Sequence, residues 1–571
     1  MATKEAGTTV DAFTTEVIRG AVVAITREMK VNLQRTAYNT IIYEAEDFTV
    51  GLFDAEGNTI SIGLGLPMFI RGLSDTIKAK LEHWGRDGIE PGDILLTNDA
   101  YTTGSHLNHM VFTVPVFHED ELVAFSSSMA HWPDVGGVAG TITRDIYSEG
   151  LQLPFVKIYK AGKLDQELAA IIRMNVRFPE RAMGDFRAQI AAIRTGERRV
   201  SELLQRYGTH AFKESIRHIF DQSERLARAA VRSIPDGIYE AEAFMDDDGV
   251  AIGKHVPIKI KVIVEGDEMT IDFTDVGAQV AGYFNSGPTA GRSAAQVAFK
   301  CLTTPTLLPI NHGAVRPVKV ILPPGRVISA TKPAAMYRWM AYPMTVVDTI
   351  FKALAPACPE RVIAGHHADL AGLAGGGWGA KFDEDGMSAT VCVNDGDTHN
   401  APTEATEARQ PGSIVVRREL RLDSGGPGKF RGGLGVARET RNLLPRSRFF
   451  YEVERTECAP WGLFGGKDAL ANRIARVHKD GTVEVLRGKT GGMELEAGEG
   501  HVIEVGGGGG FGNPLERDVE RVLADVRAEY VSLESARDDY GVVITKNGRQ
   551  YEVDAKATDA LRKQMLAADR R

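Results

Sequence analysis

Two apolar runs joined by a very short connection constrain the fold most strongly. The runs are MVFTVPVF (110–117) and ELVAFSSSM (121–129), and the connection is HED. Runs of this length that are rich in β-branched and aromatic residues are typical of strands, and so short a connection predicts an antiparallel hairpin. In that hairpin residue 109 lies opposite residue 130 or 131, depending on one residue of register.

Histidines collect at the open end of this hairpin. His106, His109 and His131 lie close together in the sequence, although the chain of 571 residues has only 14 histidines. Directly opposed residues have Cβ atoms about 4.5–5.5 Å apart, so we expect His109 and His131 to be neighbours. His106 lies just before the first strand. Three imidazoles that converge at a strand end predict a divalent metal site, for Zn²⁺ first and for Mn²⁺ or Fe²⁺ as alternatives.

A structural role is the competing interpretation of these histidines. A His-x-x-His spacing often arises by chance, and His131 beside Trp132 could be a hydrogen-bonded core histidine. Asp47, Asp99 and Asp134 are candidates for a fourth ligand or for a carboxylate that orients a histidine. Their spacing alone does not choose among them.

The whole chain is predicted to be a mixed α+β, multidomain fold, because helical and strand-like periods alternate without a regular βαβ series. Four segments are expected: an N-terminal segment with a long helix, the metal-bearing hairpin and a helical block (1–235), a central β-rich segment (236–360), a glycine-rich β segment (361–515) and a helical C-terminal tail (516–571).

Local patterns predict individual elements within these segments. Apolar residues at helical spacing, including Val17, Ala21, Ala24 and Ile25, predict a helix over 12–40. The remaining predictions are a hairpin with its turn at 54–57, helices over 180–230 and over 334–355, and a final hairpin around 547–548.

Two stretches are unusually rich in glycine, VGGGGGFGNP (505–514) and SGGPGKFRGGLG (424–435). Neither has the GxxxxGK[ST] spacing or the GxGxxG pattern between strand and helix that binds phosphates. Tight turns and close backbone packing are therefore the favoured interpretation. A serine hydrolase is disfavoured, because the chain has no GxSxG sequence.

Charge and cysteine content limit the partners and the compartment. The net charge of −9 is spread along the chain and disfavours nucleic acid or an anionic membrane as the main partner. The first residues lack the apolar stretch of a signal peptide, and no run is long and apolar enough for a membrane helix. Four scattered cysteines indicate a reducing compartment, so we expect a cytoplasmic protein.

Long motifs resemble the B-type subunits of the hydantoinase/5-oxoprolinase family in the right order along nearly the whole chain. They include PGDILLTNDAYTTGSHLNHMVFTVPVF, LVAFSSSMAHWPDVGG, SGGPGKFRGGLGVARE and GGGGGFGNPLERDVERVLADV. The resemblance implies a metal site whose ligands are Asp47, His106, His109 and His131. The family's usual His-x-x-Asp is His-x-x-His here, which lowers the negative charge at the ion by one and favours Zn²⁺.

The resemblance also implies a partner and a reaction. A separate A-type subunit would bind ATP with Mg²⁺, in an (αβ)₂ heterotetramer, and would phosphorylate a small cyclic amide such as a hydantoin, oxoproline or lactam. The chain studied here would then open the activated ring, with Asp134 or Asp99 as general base or as an orienting carboxylate. The alternatives are a subunit of an ATP-dependent ketone carboxylase and a non-catalytic scaffold.

Overall fold

The computed structural model describes residues 10–138, 140–303, 310–368, 375–394, 402–409, 411–548 and 550–568. Its helices are α1 Ala12–Thr36, α2 Thr40–Tyr43, α3 Gly72–Trp84, α4 Ala100–Thr103, α5 Gln166–Met174, α6 Pro179–Val231, α7 Pro288–Thr303, α8 Ala341–Leu354, α9 Thr403–Arg409, α10 Val519–Arg527, α11 Leu533–Asp538 and α12 Ala555–Ala568.

Twenty strands accompany the helices in the described part of the chain. They are β1 Phe48–Asp54, β2 Thr59–Leu64, β3 Ile94–Thr97, β4 His109–His118, β5 Glu121–His131, β6 Val156–Lys160, β7 Lys163–Leu164, β8 Gly237–Met245, β9 Val256–Glu265, β10 Glu268–Asp272, β11 Val318–Ile321, β12 Ser413–Leu420, β13 Val436–Asn442, β14 Arg446–Glu452, β15 Arg473–Val477, β16 Val483–Leu486, β17 Lys489–Glu496, β18 Gly500–Glu504, β19 Ile544–Asn547 and β20 Gln550–Val553. The mixed α+β class is confirmed.

A seven-stranded antiparallel sheet carries the predicted hairpin at its centre. Its strand order is β2-β1-β5-β4-β3-β6-β7, and β4 pairs with β5. His109 lies directly opposite His131, so the second of the two possible registers is the one adopted. Strand β1 pairs with the other side of β5, with Phe48 opposite Ala130. The end of β5 and the beginnings of β1 and β4 therefore meet at one end of the sheet.

Helices α1 and α6 cover one face of this sheet. The long helix predicted near the N-terminus is confirmed, but its buried face is displaced from the predicted one: Ile18, Val22, Ile25, Met29 and Leu33 are buried. Val17 and Ala24 are exposed, because the sheet and α6 lie on the adjacent side of the helix. Helix α6 confirms the predicted helical block and is interrupted at Gly208, where φ is 80°.

Two smaller sheets and two isolated strand pairs follow along the chain. The sheet orders are β11-β10-β9-β8 and β12-β13-β18-β15-β16, and the pairs are β14-β17 and β19-β20. The last pair confirms the predicted final hairpin. Among the helices of the described residues, none has both the length and the apolar character needed to cross a membrane.

The helix predicted over 334–355 is only partly right. Helix α8 begins at Ala341, and residues 334–340 form a loop. The loop is held by contacts with distant segments rather than by helical hydrogen bonds: the Tyr101 hydroxyl donates to the Ala334 carbonyl, and the Arg338 amide donates to the Tyr283 carbonyl. Local apolar spacing does not report such contacts, so it predicts a helix that is too long.

The glycine-rich stretches pack backbone against backbone, as their sequences predict. A Cβ atom placed on Gly508 would lie 1.9 Å from the Trp378 carbonyl oxygen, and one on Gly432 would lie 1.7 Å from the Gly508 carbonyl oxygen. Only glycine allows backbones to approach this closely. The run 506–510 is therefore a packing element in the glycine-rich part of the chain.

Candidate metal centre

The three histidines converge at the end of the seven-stranded sheet. The ring centroids of His106 and His109 are 4.5 Å apart, those of His106 and His131 are 4.8 Å apart, and those of His109 and His131 are 5.4 Å apart. His106 and His109 are buried, and His131 is partly buried. Asp47 joins them, with its Oδ1 atom 2.9 Å from His109 Nε2.

Backbone hydrogen bonds hold the segments that carry these side chains. The His131 amide donates to the Asp47 carbonyl at 3.0 Å, which continues the β1–β5 ladder by one residue. The Asn39 side chain donates to the His131 carbonyl at 2.9 Å. On the other side, Asn108 and Trp132 exchange two hydrogen bonds, of 2.8 and 3.0 Å. The sheet end is thus rigidly cross-linked around the histidines.

Both ring nitrogens of His109 have partners. Nδ1 lies 2.9 Å from the Ser105 hydroxyl, and Nε2 lies 2.9 Å from Asp47 Oδ1. Ser105 is buried and belongs to the loop between α4 and β4. The serine and the aspartate therefore fix the plane of the His109 ring from opposite sides.

His106 and His131 each present a buried nitrogen with no hydrogen-bond partner among the described residues. His106 Nδ1 donates to the Tyr337 carbonyl at 3.0 Å, so its unpartnered Nε2 is the atom with the free lone pair. Nδ1 of His131 is likewise buried and unpartnered there. Unsatisfied buried polar atoms are rare in proteins, and those of a histidine pair suit a ligand.

Burial keeps these two imidazoles neutral. It holds the pKa of His106 well below that of an ordinary histidine and lowers the pKa of His131 to about 4. Burial opposes the charge of Asp47, but His109 and His131 outweigh it and lower the pKa of that carboxyl. Neutral imidazoles beside a carboxylate are the protonation states in which these groups bind metal ions.

As the side chains stand, no group of three or more His, Cys, Asp or Glu residues in the described part of the chain is arranged so that it could hold a metal ion. Asp47 and His109 are hydrogen-bonded to each other, and an ion shared by them would replace that bond. The donor set nevertheless suits a divalent ion, because it combines two unpartnered buried imidazole nitrogens, a third imidazole and a carboxylate. The residues therefore fit such an ion in chemistry and in proximity.

Aromatic side chains line one side of the cluster. Phe69 and Trp339 are stacked with ring centroids 5.8 Å apart, and both approach His109, at 4.9 and 6.0 Å. Tyr337 lies 5.9 Å from His106. The Trp339 indole nitrogen is buried and has no hydrogen-bond partner within the described residues. The cluster is thus bounded by an apolar wall with one uncommitted donor.

Asp134 is engaged by Arg177. The Arg177 backbone amide and its guanidinium both donate to the Asp134 carboxylate, and the same guanidinium reaches the carbonyls of Gly136 and Gly137. These contacts close the loop that follows β5. A general-base role for Asp134 stays a prediction, and in this geometry its carboxylate organises the loop.

Asp99 lies at the beginning of α4. Its Oδ2 accepts a hydrogen bond from the Thr102 hydroxyl at 2.5 Å, and its amide donates to the Thr97 hydroxyl. These contacts shape the turn that leads to His106. The catalytic role predicted for Asp99 likewise stays a prediction.

Sequence reasoning did not identify Ser105, Tyr337, Phe69 or Trp339. Ser105 adjoins His106 in the printed sequence, and its position four residues before His109 was the available signal. Tyr337 and Trp339 lie in the aromatic run MYRWMAY, which falls within the predicted helix. Nothing in the local pattern connects that run with the histidines.

Comparisons with known proteins agree with this architecture. The family model described as hydantoinase B/oxoprolinase matches residues 11–514. A putative D-/L-hydantoinase B-type subunit from Pseudomonas sp. (strain NS671) is 32% identical over 597 residues, which cover 97% of this chain and 98% of that protein. The crystal structure of an ATP-dependent caprolactamase from Pseudomonas jessenii superposes with a TM-score of 0.89 at 30% identity, over 97% of this chain and 100% of that one.

A more distant structure shares the fold. The nucleotide-free structure of an acetone carboxylase matches with a TM-score of 0.87 at 20% identity, over 98% of this chain and 83% of that one. The family model and the relatives agree over nearly the whole length. The chain therefore belongs to the hydantoinase B/oxoprolinase family.

Proposed function

We propose that this chain is the metal-binding B-type subunit of an ATP-dependent enzyme that opens a small cyclic amide. A separate A-type subunit would bind ATP and phosphorylate the amide, and this chain would complete the ring opening. Support comes from the similarity to the B-type subunit of a hydantoinase and to an ATP-dependent caprolactamase. The proposed substrates are hydantoins, oxoproline and lactams.

The observation that carries the proposal is the convergence of His106, His109, His131 and Asp47 with two imidazole nitrogens left unpartnered. A buried imidazole that has lost its hydrogen-bond partners is costly, so a purely structural histidine cluster would be expected to satisfy them. Here His106 Nε2 and His131 Nδ1 are buried without partners among the described residues. A bound cation would satisfy both.

The proposed ligands are Asp47, His106, His109 and His131, and the proposed ion is Zn²⁺, with Mn²⁺ or Fe²⁺ as alternatives. A divalent ion held there would supply Lewis-acid chemistry toward an amide oxygen. The chain's own contribution is to keep His106 and His131 neutral by burial and to keep Asp47 ionised beside them. The set of three imidazoles and one carboxylate favours a borderline ion over a harder one.

The surroundings of the cluster suit a small uncharged ring. Phe69 and Trp339 offer a stacked aromatic wall beside His109. The Trp339 indole N–H, unpartnered within the described chain, could donate to a substrate oxygen. An aromatic wall with a single donor is typical of pockets for small cyclic molecules.

Metal content is the first test. The purified chain is expected to hold about one equivalent of zinc, which is the stoichiometry of a single site, measured by elemental analysis. The variants H106A, H109A, H131A and D47A are expected to lose the metal while keeping the circular dichroism of the parent protein. H210A removes an exposed histidine of α6 and is the matched control, which should keep its metal. Full metal content in all four site variants would refute the site, and a metal-free parent protein would favour a scaffold role.

Turnover is the second test. The chain is purified together with its A-type partner, and ATP consumption is measured with hydantoins, oxoproline, lactams and small ketones. Ring opening of a cyclic amide is the expected result. Incorporation of labelled bicarbonate into an acid-stable product, with ketones alone, would instead identify a carboxylase, whose fold this chain shares.

A further inference from the structure

A buried carboxylate, Glu149, lies behind the histidine cluster and gathers several donors on one oxygen. Its Oε1 atom accepts hydrogen bonds from the Met336 amide at 2.9 Å, from the Tyr337 amide at 2.9 Å and from the Thr143 hydroxyl at 2.8 Å. Its Oε2 atom is 3.0 Å from the Met336 amide. Glu149 is 5% exposed, so these bonds are shielded from water.

The Glu149 carboxylate holds the residue that orients His106. Tyr337 is fixed at both ends: its amide donates to Glu149, and its carbonyl accepts from His106 Nδ1 at 3.0 Å. A hydrogen bond at Nδ1 selects the tautomer of the imidazole and leaves the lone pair on Nε2. The direction in which His106 presents Nε2 therefore depends on the position of the Tyr337 carbonyl, and through it on Glu149.

The chain brings Glu149 to this position by folding the loop after β5 back on itself. The Leu151 amide donates to the Val135 carbonyl, and the Val138 amide donates to the Ser148 carbonyl. The Asn98 side chain then donates both to the Leu107 carbonyl and to the Leu151 carbonyl, at 2.7 and 2.9 Å. Glu149 thus lies between the loop that follows His131 and the loop 334–340 that supports His106.

A local stabilising role does not by itself account for this placement. Buried carboxylates that accept backbone N–H groups also occur far from the histidines: Asp246 accepts from the Thr456 and Cys458 amides and from the Thr456 hydroxyl. What distinguishes Glu149 is that one of its donors, Tyr337, is itself bonded to a histidine of the cluster. Asp246 therefore provides a matched comparison for the cost of removing such a carboxylate.

We propose that Glu149 is a positioning residue of the metal centre, which fixes the Tyr337 carbonyl and thereby aims His106 Nε2 at the ion. The inference rests on the proposed function, because it presupposes that the centre binds a metal. It adds a residue outside the donor set whose removal weakens metal binding without removing a ligand. Mutations that disturb the partners of a ligating histidine typically cost about 10–100-fold in metal affinity.

The test compares E149A with E149Q in the full-length chain. Zinc affinity is measured by competition with a chromophoric chelator, and the geometry of the site is monitored by the visible absorption of the Co²⁺-substituted protein. Because all three donors converge on Oε1, the amide oxygen of E149Q can keep them, and its affinity and Co²⁺ spectrum are expected to stay close to those of the parent. E149A is expected to lose about 10–100-fold in zinc affinity and to show an altered Co²⁺ spectrum.

D246A is the control for general destabilisation. It is expected to lower the thermal midpoint, as E149A does, and to leave the zinc affinity and the Co²⁺ spectrum unchanged. The inference is overturned if E149A binds zinc as tightly as the parent, or if D246A weakens binding equally. A parent protein that binds no zinc, manganese or iron would instead overturn the proposed function itself, so the two failures are distinguishable.

Discussion

At the scale of single residues, burial sets the charge that each ionisable side chain around the candidate centre carries. His106 and His131 are kept neutral by burial, whereas Asp47 stays ionised because the neighbouring histidines outweigh its own burial. Asp134, in contrast, is bonded to Arg177 and shapes the loop after β5. The chemistry available at the centre therefore depends on surroundings that come from several segments.

Asp185 provides a test of the same principle in a carboxyl group. It is a fully buried residue of α6 that accepts the Tyr38 amide at 2.7 Å on Oδ1, and its Oδ2 is buried with no hydrogen-bond partner within the described residues. Burial raises the pKa of Asp185 from 3.8 to about 6. The folded protein therefore keeps a proton that the unfolded chain releases between about pH 4 and pH 6.

Stability should fall as the pH rises through this window. Below about pH 4 the carboxyl is protonated in both states, and above about pH 6 the folded state carries the cost of a buried charge, so linkage gives a loss of about 2 kcal/mol between pH 4.5 and pH 8 from this group. The D185N variant lacks that loss. Urea unfolding at the two pH values should show the stability difference moving in favour of D185N by about that amount. A difference that does not change with pH would contradict the expectation.

At the scale of elements, the contact between α6 and the sheet depends on a missing side chain. A Cβ atom on Gly196 would lie 2.2 Å from Ser126 Oγ and 2.6 Å from Met29 Sδ, so α6, α1 and β5 meet at this glycine. Gly20, in α1, has no atom within 4 Å of the corresponding position. The two helical glycines therefore allow a direct comparison.

We expect G196A and G20A to change stability in opposite directions. G196A forces the helix away from the sheet and should lower the free energy of unfolding by about 1–3 kcal/mol, as overpacking does. G20A should raise it by about 0.5–1 kcal/mol, because alanine is the better helix former. Both values can be measured by chemical denaturation, and a stabilising G196A would show that α6 does not press on the sheet here.

The glycine run 506–510 can be tested in the same way. A Cβ atom on Gly508 would lie within 2.0 Å of both the carbonyl oxygen and the carbonyl carbon of Trp378, and backbone atoms cannot move aside as a flexible side chain can. We expect G508A to lower the yield of folded protein sharply or to cost more than about 3 kcal/mol. G481A, at a glycine with φ of 85° and nothing within 4 Å, should cost only about 1–2 kcal/mol. Equal effects of the two substitutions, followed by thermal denaturation, would argue against backbone packing as the reason for the run.

At the scale of the whole molecule, one apolar cluster joins segments that the sequence separates. It contains Phe53 and Met129 of the large sheet, Ile271 of the second sheet, Ile350 of α8 and Phe511 of the glycine-rich part. The four-segment division stays a prediction, and the first three segments share this core. The C-terminal tail has a smaller cluster of its own, which contains Val522, Val526, Val531, Ala536, Tyr540 and Val542.

Unfolding of residues 10–515 should therefore be cooperative. Segments that share one apolar core lose it together, so native-state hydrogen exchange in β1, β9 and α8 should report the same free energy of opening. The C-terminal helices can open separately, at lower free energy. Mass spectrometry of exchanged peptides provides the measurement, and clearly different opening energies for β1 and β9 would show that the shared core does not couple them.

The sequence by itself determined the features that follow from local spacing. Alternating apolar residues and a short connection predicted the β4–β5 hairpin, and that hairpin alone placed His109 beside His131, because opposed residues of an antiparallel pair are neighbours. The long motifs indicated the family in the same way. Helical periodicity located α1 and α6, although it chose a neighbouring face of α1 as the buried one.

Only the tertiary structure decided the contacts that cross between distant segments. The hydrogen bond from His106 to Tyr337 joins residues 231 positions apart, and that from Tyr337 to Glu149 joins residues 188 apart. The loop 334–340 has the apolar spacing of a helix, and its tertiary hydrogen bonds override that preference. Periodicity reports which face of an element is buried, whereas the partner that buries it depends on how all the elements pack together.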